Sequence, residues 1–487
     1  MAPESNNNNY NKGEEQQQHP STEHTAPSVM MGDAESDLKD QDLDDEIIMD
    51  HKAPLCTKTR MRIVTWGSLA VALICLIIVI PAVVVNSNKS ASSPANTSLG
   101  NTWTPLGDSL VDDIGADNDF GESVALSGNG LRVAIGANAA DSATGRVIVK
   151  KFEGSFWKPM GKDGAIQGPS AGSNFGHVVQ LSENGNIVVA SGFGNNVTRG
   201  IVQSYKYQDN EWKQFGGDVR TPSNQPGDRF GVSLSLSAAG DAFIVGADGD
   251  DNDDPRNGAA YVYALQNDEW KQKGQVFVGS NDSRMGYAVA MSGDGNTICI
   301  GERDYKLDVS GNRRGQVYCH YWQEDQNAWL VKGDRMRGTY NGGNFGYSMS
   351  LNHRGNRVAV GNRQAGAKEE GSVTVFQIHK GKWDMMGNEM VSGTGKDQGG
   401  FQVALNREGD VLCWTARGYD GEQKNVGIVR VAQWIYGFWE ELGEGISGAQ
   451  ASDYFGENVA MNDKGDVFAA SSNWNDDREY VLVFRVS

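Results

Sequence analysis

The stretch Phe120-Gly121-Glu122-Ser123-Val124-Ala125-Leu126-Ser127-Gly128-Asn129-Gly130-Leu131-Arg132-Val133-Ala134-Ile135-Gly136-Ala137 decides the fold. After Phe-Gly, the run Ser123 to Leu126 alternates as a half-buried strand does. Ser127 to Gly130 is a tight turn built from residues that tolerate unusual backbone angles. Leu131 to Ile135 is an apolar run suited to a buried strand. A loop then leads to the Gly-x-Val-x-Val run Gly145 to Val149, a third strand, and a fourth strand carries Trp157.

Outward from this stretch the pattern repeats. A Trp-x-x-x-Gly signature starts at Trp103, Trp157, Trp212, Trp270, Trp329, Trp383 and Trp439, every 54 to 59 residues. The paired glycines are Gly107, Gly161, Gly216, Gly274, Gly333, Gly387 and Gly443. Phe-Gly recurs at Phe120, Phe175, Phe230, Phe345 and Phe455, with Met285-Gly286 and Gly399-Gly400 in the same place elsewhere. A turn glycine follows each landmark glycine at a constant interval: Gly130, Gly185, Gly240, Gly295, Gly355, Gly409 and Gly465. Short strands at even spacing, with periodic Gly and aromatic residues, are the signature of propeller blades. A four-stranded unit cannot bury both faces alone, so such units must stack. The expected fold is therefore all-β, a seven-bladed propeller over residues 101–487. The ends agree with closure. The last repeat stops after its third strand, Tyr480 to Val486, while the first Trp strand has no repeat before it. Pairing the two completes the last blade and removes the open edges.

These residues resemble the FG-GAP repeats of integrin α-subunit propellers. Phe120-Gly121 followed by Ala134-Ile135-Gly136-Ala137, and Phe230-Gly231 followed by Val245-Gly246-Ala247, carry the likeness. The resemblance implies extracellular adhesion or ligand recognition. That family's calcium loops lie in the hairpin after Phe-Gly. Here those hairpins, such as Ser127 to Gly130 and Ser182 to Gly185, are too short and too poor in carboxylates to cage calcium. The leg domains are missing and the apolar segment precedes the repeats, so the chain is not expected to be an integrin.

That segment, residues 63–85, carries no charge among 23 residues. It would span about 34 Å as a helix, enough for a bilayer core. Lys52, Lys58, Arg60 and Arg62 precede it and Lys89 follows, so the N-terminus is expected in the cytosol. The chain reads as a single-pass membrane protein with residues 86–100 as linker and the propeller outside the cell or in the secretory lumen. Residues 1–60 carry 13 acidic and 5 basic side chains and few apolar ones, the composition of a disordered tail. Within it, Asp44-Asp45-Glu46-Ile47-Ile48 fits an acidic sorting signal imperfectly and a solvated tail well. Cys56, beside the span, is a palmitoylation candidate. The whole chain carries a formal charge of −19, which sets nucleic-acid binding aside.

The loops between strands two and three, and those between strand four and the next strand one, vary most and share one face. Binding residues usually sit on such loops. Trp474, Tyr305 and Tyr419 are the ligand-loop candidates there, each weighed against a role as loop anchor. Asp248, Asp250, Asn252 and Asp254 have the oxygen spacing of a calcium site, although position twelve holds Ala259 rather than Glu. A solvated loop is the competing reading. Asp112, Asp113, Asp117 and Asp119 form a similar cluster. The sequons Asn96, Asn196 and Asn281 are the glycosylation candidates on the propeller side; Asn88 lies too near the span. Cys299 and Cys319 sit on neighbouring strands, which suits either a disulfide or buried thiols, and Cys413 reads as buried and free.

Catalytic signals are weak. The histidines of the repeats, His177, His320, His353 and His379, are scattered without metal spacing, and Ser292-Gly293-Asp294-Gly295 is turn chemistry. The expected function is a membrane-anchored module that recognises a protein or glycan. The alternatives are a glycan-active enzyme of the secretory pathway, marked by carboxylates converging at the ring's centre, and a structural scaffold of a surface complex.

Overall fold

The computed structural model describes residues 100–112, 118–162, 164–194, 199–222, 228–249, 257–280, 282–307, 311, 313–393, 395–473 and 479–487. The tail, residues 1–60, and the apolar segment, residues 63–85, lie outside them. Among the described residues no helix is long and apolar enough to cross a membrane.

The architecture is all-β. Among the described residues helix is confined to single turns at Ala140–Ala143 and Glu324–Gln326. The stretch that opens the repeat forms strands Phe120–Leu126 and Arg132–Ala137, which pair antiparallel with Leu126 opposite Val133. Arg146–Glu153 and Phe156–Pro159 complete a four-stranded meander, and Ile166–Gln167 adds to the third strand. Register shifts between Phe120 and Val124, a bulge that turns the Phe-Gly corner.

The same meander recurs along the chain. Met285–Met291 to Ala328–Arg337, Phe345–Leu351 to Lys382–Met385, and Gly399–Leu405 to Phe438–Glu441 each form one sheet. The meanders Val178–Leu181 to Glu211–Arg220 and Phe230–Leu236 to Glu269–Gln272 share one nine-stranded sheet, joined by a single parallel pairing of Gly216 with Glu269. In the remaining sheet Val459–Met461, Val467–Ser472 and Tyr480–Val486 are completed by Trp103–Pro105 from the other end of the repeats. Trp103 pairs with Val486 there, as the chain ends led us to expect.

Cores lie between sheets. Phe120, Val133 and Ile135 pack with Val467, Ala469 and Val481 of the last sheet. Ala134, Val147 and Val149 face Phe175, Val179 and Val188 of the next. Further clusters continue this order until Val411, Cys413 and Val429 meet Phe455 and Phe468. The packing returns to its start, and the sheets fit a β-propeller.

The tryptophan signature explains itself in this packing. Trp157 Nε1 donates to the carbonyl of Leu106, just before Gly107. Trp212 donates likewise to Met160, Trp329 to Lys273, Trp383 to Lys332, Trp439 to Met386 and Trp103 to Leu442. Only Trp270 differs, donating to Ser204 Oγ, which in turn donates to the Phe215 carbonyl. The paired glycine makes room for the next indole: a Cβ on Gly274 would sit 2.7 Å from Trp329 Cδ1.

Candidate functional site

The first strands of the sheets surround a cavity of about 490 Å³. Side chains satisfy some of the backbone groups on their inner edges. Ser123 Oγ accepts from the Val179 N–H, Ser235 Oγ from Met291, Ser350 Oγ from Leu405 and Asn458 Oδ1 from Val124. Four of the repeats thus cover part of a neighbour's edge.

At one end of the cavity the hairpin turns link into a cycle of backbone hydrogen bonds. Gly128 N–H donates to Glu183, Glu183 to Ala238 and Ala238 to Gly293. Asp294 donates to His353, His353 to Arg407, Arg407 to Asp463 and Asp463 back to Gly128. A charged cluster spans this end. Arg407 Nη1 lies 2.8 Å from Glu183 and 3.3 Å from Asp463, and Nη2 lies 3.1 Å from His353 Nε2. Small residues make this reach feasible: a Cβ on Gly128 would collide with Asp463 and Glu183. Burial, then the nearby Glu183 charge, pushes the Asp463 carboxyl up against the pull of Arg407. The hydrogen bond to Glu183 holds the Arg407 guanidinium above its usual range.

The other end is ringed by the residue that follows each landmark glycine: Glu122, His177, Val232, Tyr287, Tyr347, Phe401 and Glu457. A second tier comes from the residues just past the second strands, among them Asp248, Arg303, Arg363, Arg417 and Asn473. One side of this mouth is acidic. His177 Nδ1 lies 3.0 Å from Glu122, and Asn473 donates to the same carboxylate at 2.9 Å. Burial would raise the Glu122 carboxyl, but the His177 contact and charge, then Asn473 and Arg417, hold it below its usual range. Glu457 pairs with Arg417 at 2.6 Å.

The other side is aromatic and cationic. Tyr287 and Tyr347 lie 5.1 Å apart, and Tyr347 and Phe401 5.4 Å apart. Arg303 stacks on Tyr287 at 3.7 Å, Arg363 on Tyr347 at 4.9 Å and Arg417 on Phe401 at 4.3 Å. The Tyr287 hydroxyl is driven far up by burial.

The expected site residues fare differently. Asp248 is buried at this mouth, 3.2 Å from Arg229 and 3.7 Å from Arg284. Burial raises its carboxyl, opposed by Arg229, Arg303 and Arg284. Asp250, Asn252 and Asp254, the rest of the calcium set, lie outside the described residues. Among the described residues no group of three His, Cys, Asp or Glu is placed to hold a metal. Tyr419 packs against the cluster around Val403 and Trp414, anchoring its loop. Tyr305 lines a second cavity with Glu302, Gln316 and Arg335. Trp474 and the sequons at Asn96, Asn196 and Asn281 lie outside the described residues. Cys299 and Cys319 form a disulfide, because the register sets them directly opposite each other. Cys413 is free and buried.

Apart from Asp248, the mouth residues were not singled out from the sequence. Their signal was there: the position after each landmark glycine is fixed in place yet changes in chemistry from repeat to repeat.

Residues 223–263 match the model of the FG-GAP repeat. No curated protein matches the chain.

Proposed function

We propose that this chain is a recognition module: a closed seven-bladed propeller, carried on one membrane span with its N-terminus in the cytosol, that binds a glycan or protein ligand at the two-tiered mouth. The observation that carries this reading is the mouth itself. Chemically varied side chains stand at equivalent points of a rigid ring, on the face from which the variable loops emerge, above a cavity in the size range of small-ligand sites. The matched FG-GAP repeat supports a ligand-binding role.

The enzyme reading has one observation in its favour, since Glu122 and Glu457 both line the cavity. A glycosidase needs one of its two carboxyls protonated to act as acid. Glu122 is held below its usual range and Glu457 is engaged by Arg417. Glu122 is thus set up to stay ionised, which favours binding over hydrolysis.

The test is a glycan array probed with the purified chain, with and without calcium, beside the Tyr347→Ala variant. Saturable binding that the substitution abolishes supports the mouth as the site. Binding that the substitution leaves intact sinks it. Loss of binding on chelation would bring the Asp248 loop back as a metal site.

A further inference from the structure

Arg303 and Arg363 stand apart from the other cations of the mouth. Arg417 is paired with Glu457, and Arg229 and Arg284 share Asp248. Among the described residues neither Arg303 nor Arg363 is in ion-pair contact with a carboxylate. Arg363 is held by neutral partners, donating from Nε to Gln398 at 3.0 Å and from Nη1 to the Tyr347 hydroxyl at 3.1 Å. Arg303 lies flat on Tyr287, and its Nε is buried with no hydrogen-bond partner. Three guanidiniums, those of Arg229, Arg284 and Arg303, act on the carboxylate of Asp248, and a second carboxylate, Asp304, is shared by Arg284 and Arg313. This arc is therefore cationic in a chain of net charge −19. A buried donor left unpaired costs stability, so such groups are retained where something else satisfies them.

The aromatic rings fix both guanidiniums before any ligand arrives, so little side-chain entropy remains to be lost on binding. A guanidinium held this way still offers part of its fork to a carboxylate or sulfate. The cavity walls bear on the ligand's class. An extended peptide would bind by adding a strand to an exposed edge. Those inner edges are partly covered already by Ser123, Ser235, Ser350 and Asn458. What the mouth offers is side chains: guanidiniums, aromatic rings, and the amide of Gln402 on the cavity wall. The charged cluster around Arg407 spans the far end, so a ligand enters from the mouth and presents its terminus.

We infer that the mouth binds the acidic end of a glycan, a terminal sugar bearing a carboxylate or sulfate, gripped by Arg303 and Arg363 on their tyrosine supports. This rests on the recognition reading above and gives its ligand a chemical class. Tyr287 and Tyr347 are positioning residues in this arrangement.

The experiment uses the purified full-length chain in detergent and four probes: an oligogalacturonate tetramer, a heparin-derived tetrasaccharide, neutral maltotetraose and a poly-glutamate peptide. The expected result is saturable binding of one or both acidic sugars, weakening as salt rises. Affinity should fall tenfold or more in Arg303→Gln and Arg363→Gln, and less in Arg363→Lys, which keeps the charge without the fork. The oligogalacturonate and heparin arms separate carboxylate from sulfate recognition. If a substituted chain fails to melt like the parent, competition by free sulfate on the unaltered chain replaces it. Binding of maltotetraose or poly-glutamate equal to that of the acidic sugars overturns the inference, as does acidic-sugar binding indifferent to salt and to both arginines. Failure of all four probes also overturns it. Tyr347-dependent binding of another ligand on the array would then leave the recognition reading standing.

Discussion

At position 320 a histidine is buried in a third strand, with the Phe277 and Tyr318 rings at 4.7 and 5.4 Å. Burial, then the charge of Arg335, pushes its pKa from 6.5 down to about 4. The folded chain keeps this imidazole neutral where the unfolded chain takes up a proton. Its contribution to stability is therefore constant above about pH 6.5, is lost as pH falls from there toward 4, and is level again below. At pH 5 the loss amounts to about 2 kcal/mol relative to pH 7. Replacing His320 with Gln removes that term. Urea unfolding of both proteins at pH 7 and pH 5 is the measurement, and the Gln variant should lose about 2 kcal/mol less over that interval. Raised carboxyls such as Asp248, Asp463 and Glu479 favour the fold in acid. They are common to both proteins and cancel in the difference. Equal losses in the two proteins would remove His320 from the acid response.

At the scale of strands, the Trp-x-x-x-Gly motif is a contact written twice. Its Trp donates to the preceding repeat, and its Gly receives the Trp of the following one. Gly274 has φ +78°, and a Cβ there would stand 2.7 Å from Trp329 and 3.0 Å from Trp322. Gly154 has φ +69° and nothing within 4 Å. Gly154→Ala should cost about 1 kcal/mol, the backbone part alone. Gly274→Ala should cost about 3 kcal/mol, because overpacking adds to it. Thermal unfolding of the two variants separates the terms, and equal shifts would show that the indole contact is not limiting.

This is also why the repeat was legible in the sequence. The contact that joins two sheets is made by residues a fixed distance apart, so packing leaves a period. The mouth leaves none. Its lining position holds Glu122, His177, Tyr287 and Phe401 in different repeats, and each acts through partners from neighbouring repeats, as Arg363 does on Tyr347. Asp248 shows the same limit. Its acidic neighbours in sequence suggested a cation, whereas its spatial neighbours are Arg229 and Arg284. The Cys299–Cys319 bond needed the strand register, which spacing alone did not supply.

At the scale of the molecule, closure rests on one short strand. Trp103–Pro105 pairs antiparallel with Tyr480–Val486, and Trp103 donates to Leu442 from far along the chain. In the first sheet the same two strand positions, Arg146–Glu153 and Phe156–Pro159, are joined by a tight hairpin at Gly154 and Ser155. The last sheet lacks only that covalent link, and Ser487 N–H already donates to the Thr102 carbonyl at 2.9 Å. The fold therefore does not depend on where the ring is cut. Joining Ser487 to Thr102 through a short Gly-rich turn, and opening the chain between Gly161 and Gly164, should give a permutant with the same sheets. The link removes loop-closure entropy from the unfolded chain, while the cut frees one exposed loop. The two changes nearly offset, so unfolding should remain a single transition with its midpoint within a few degrees of the unpermuted repeats. Circular dichroism and urea titration of the two proteins side by side make the comparison. A permutant that unfolds in separate steps would mean that the Trp103 strand, placed last in folding order, is more than the closing piece of a ring.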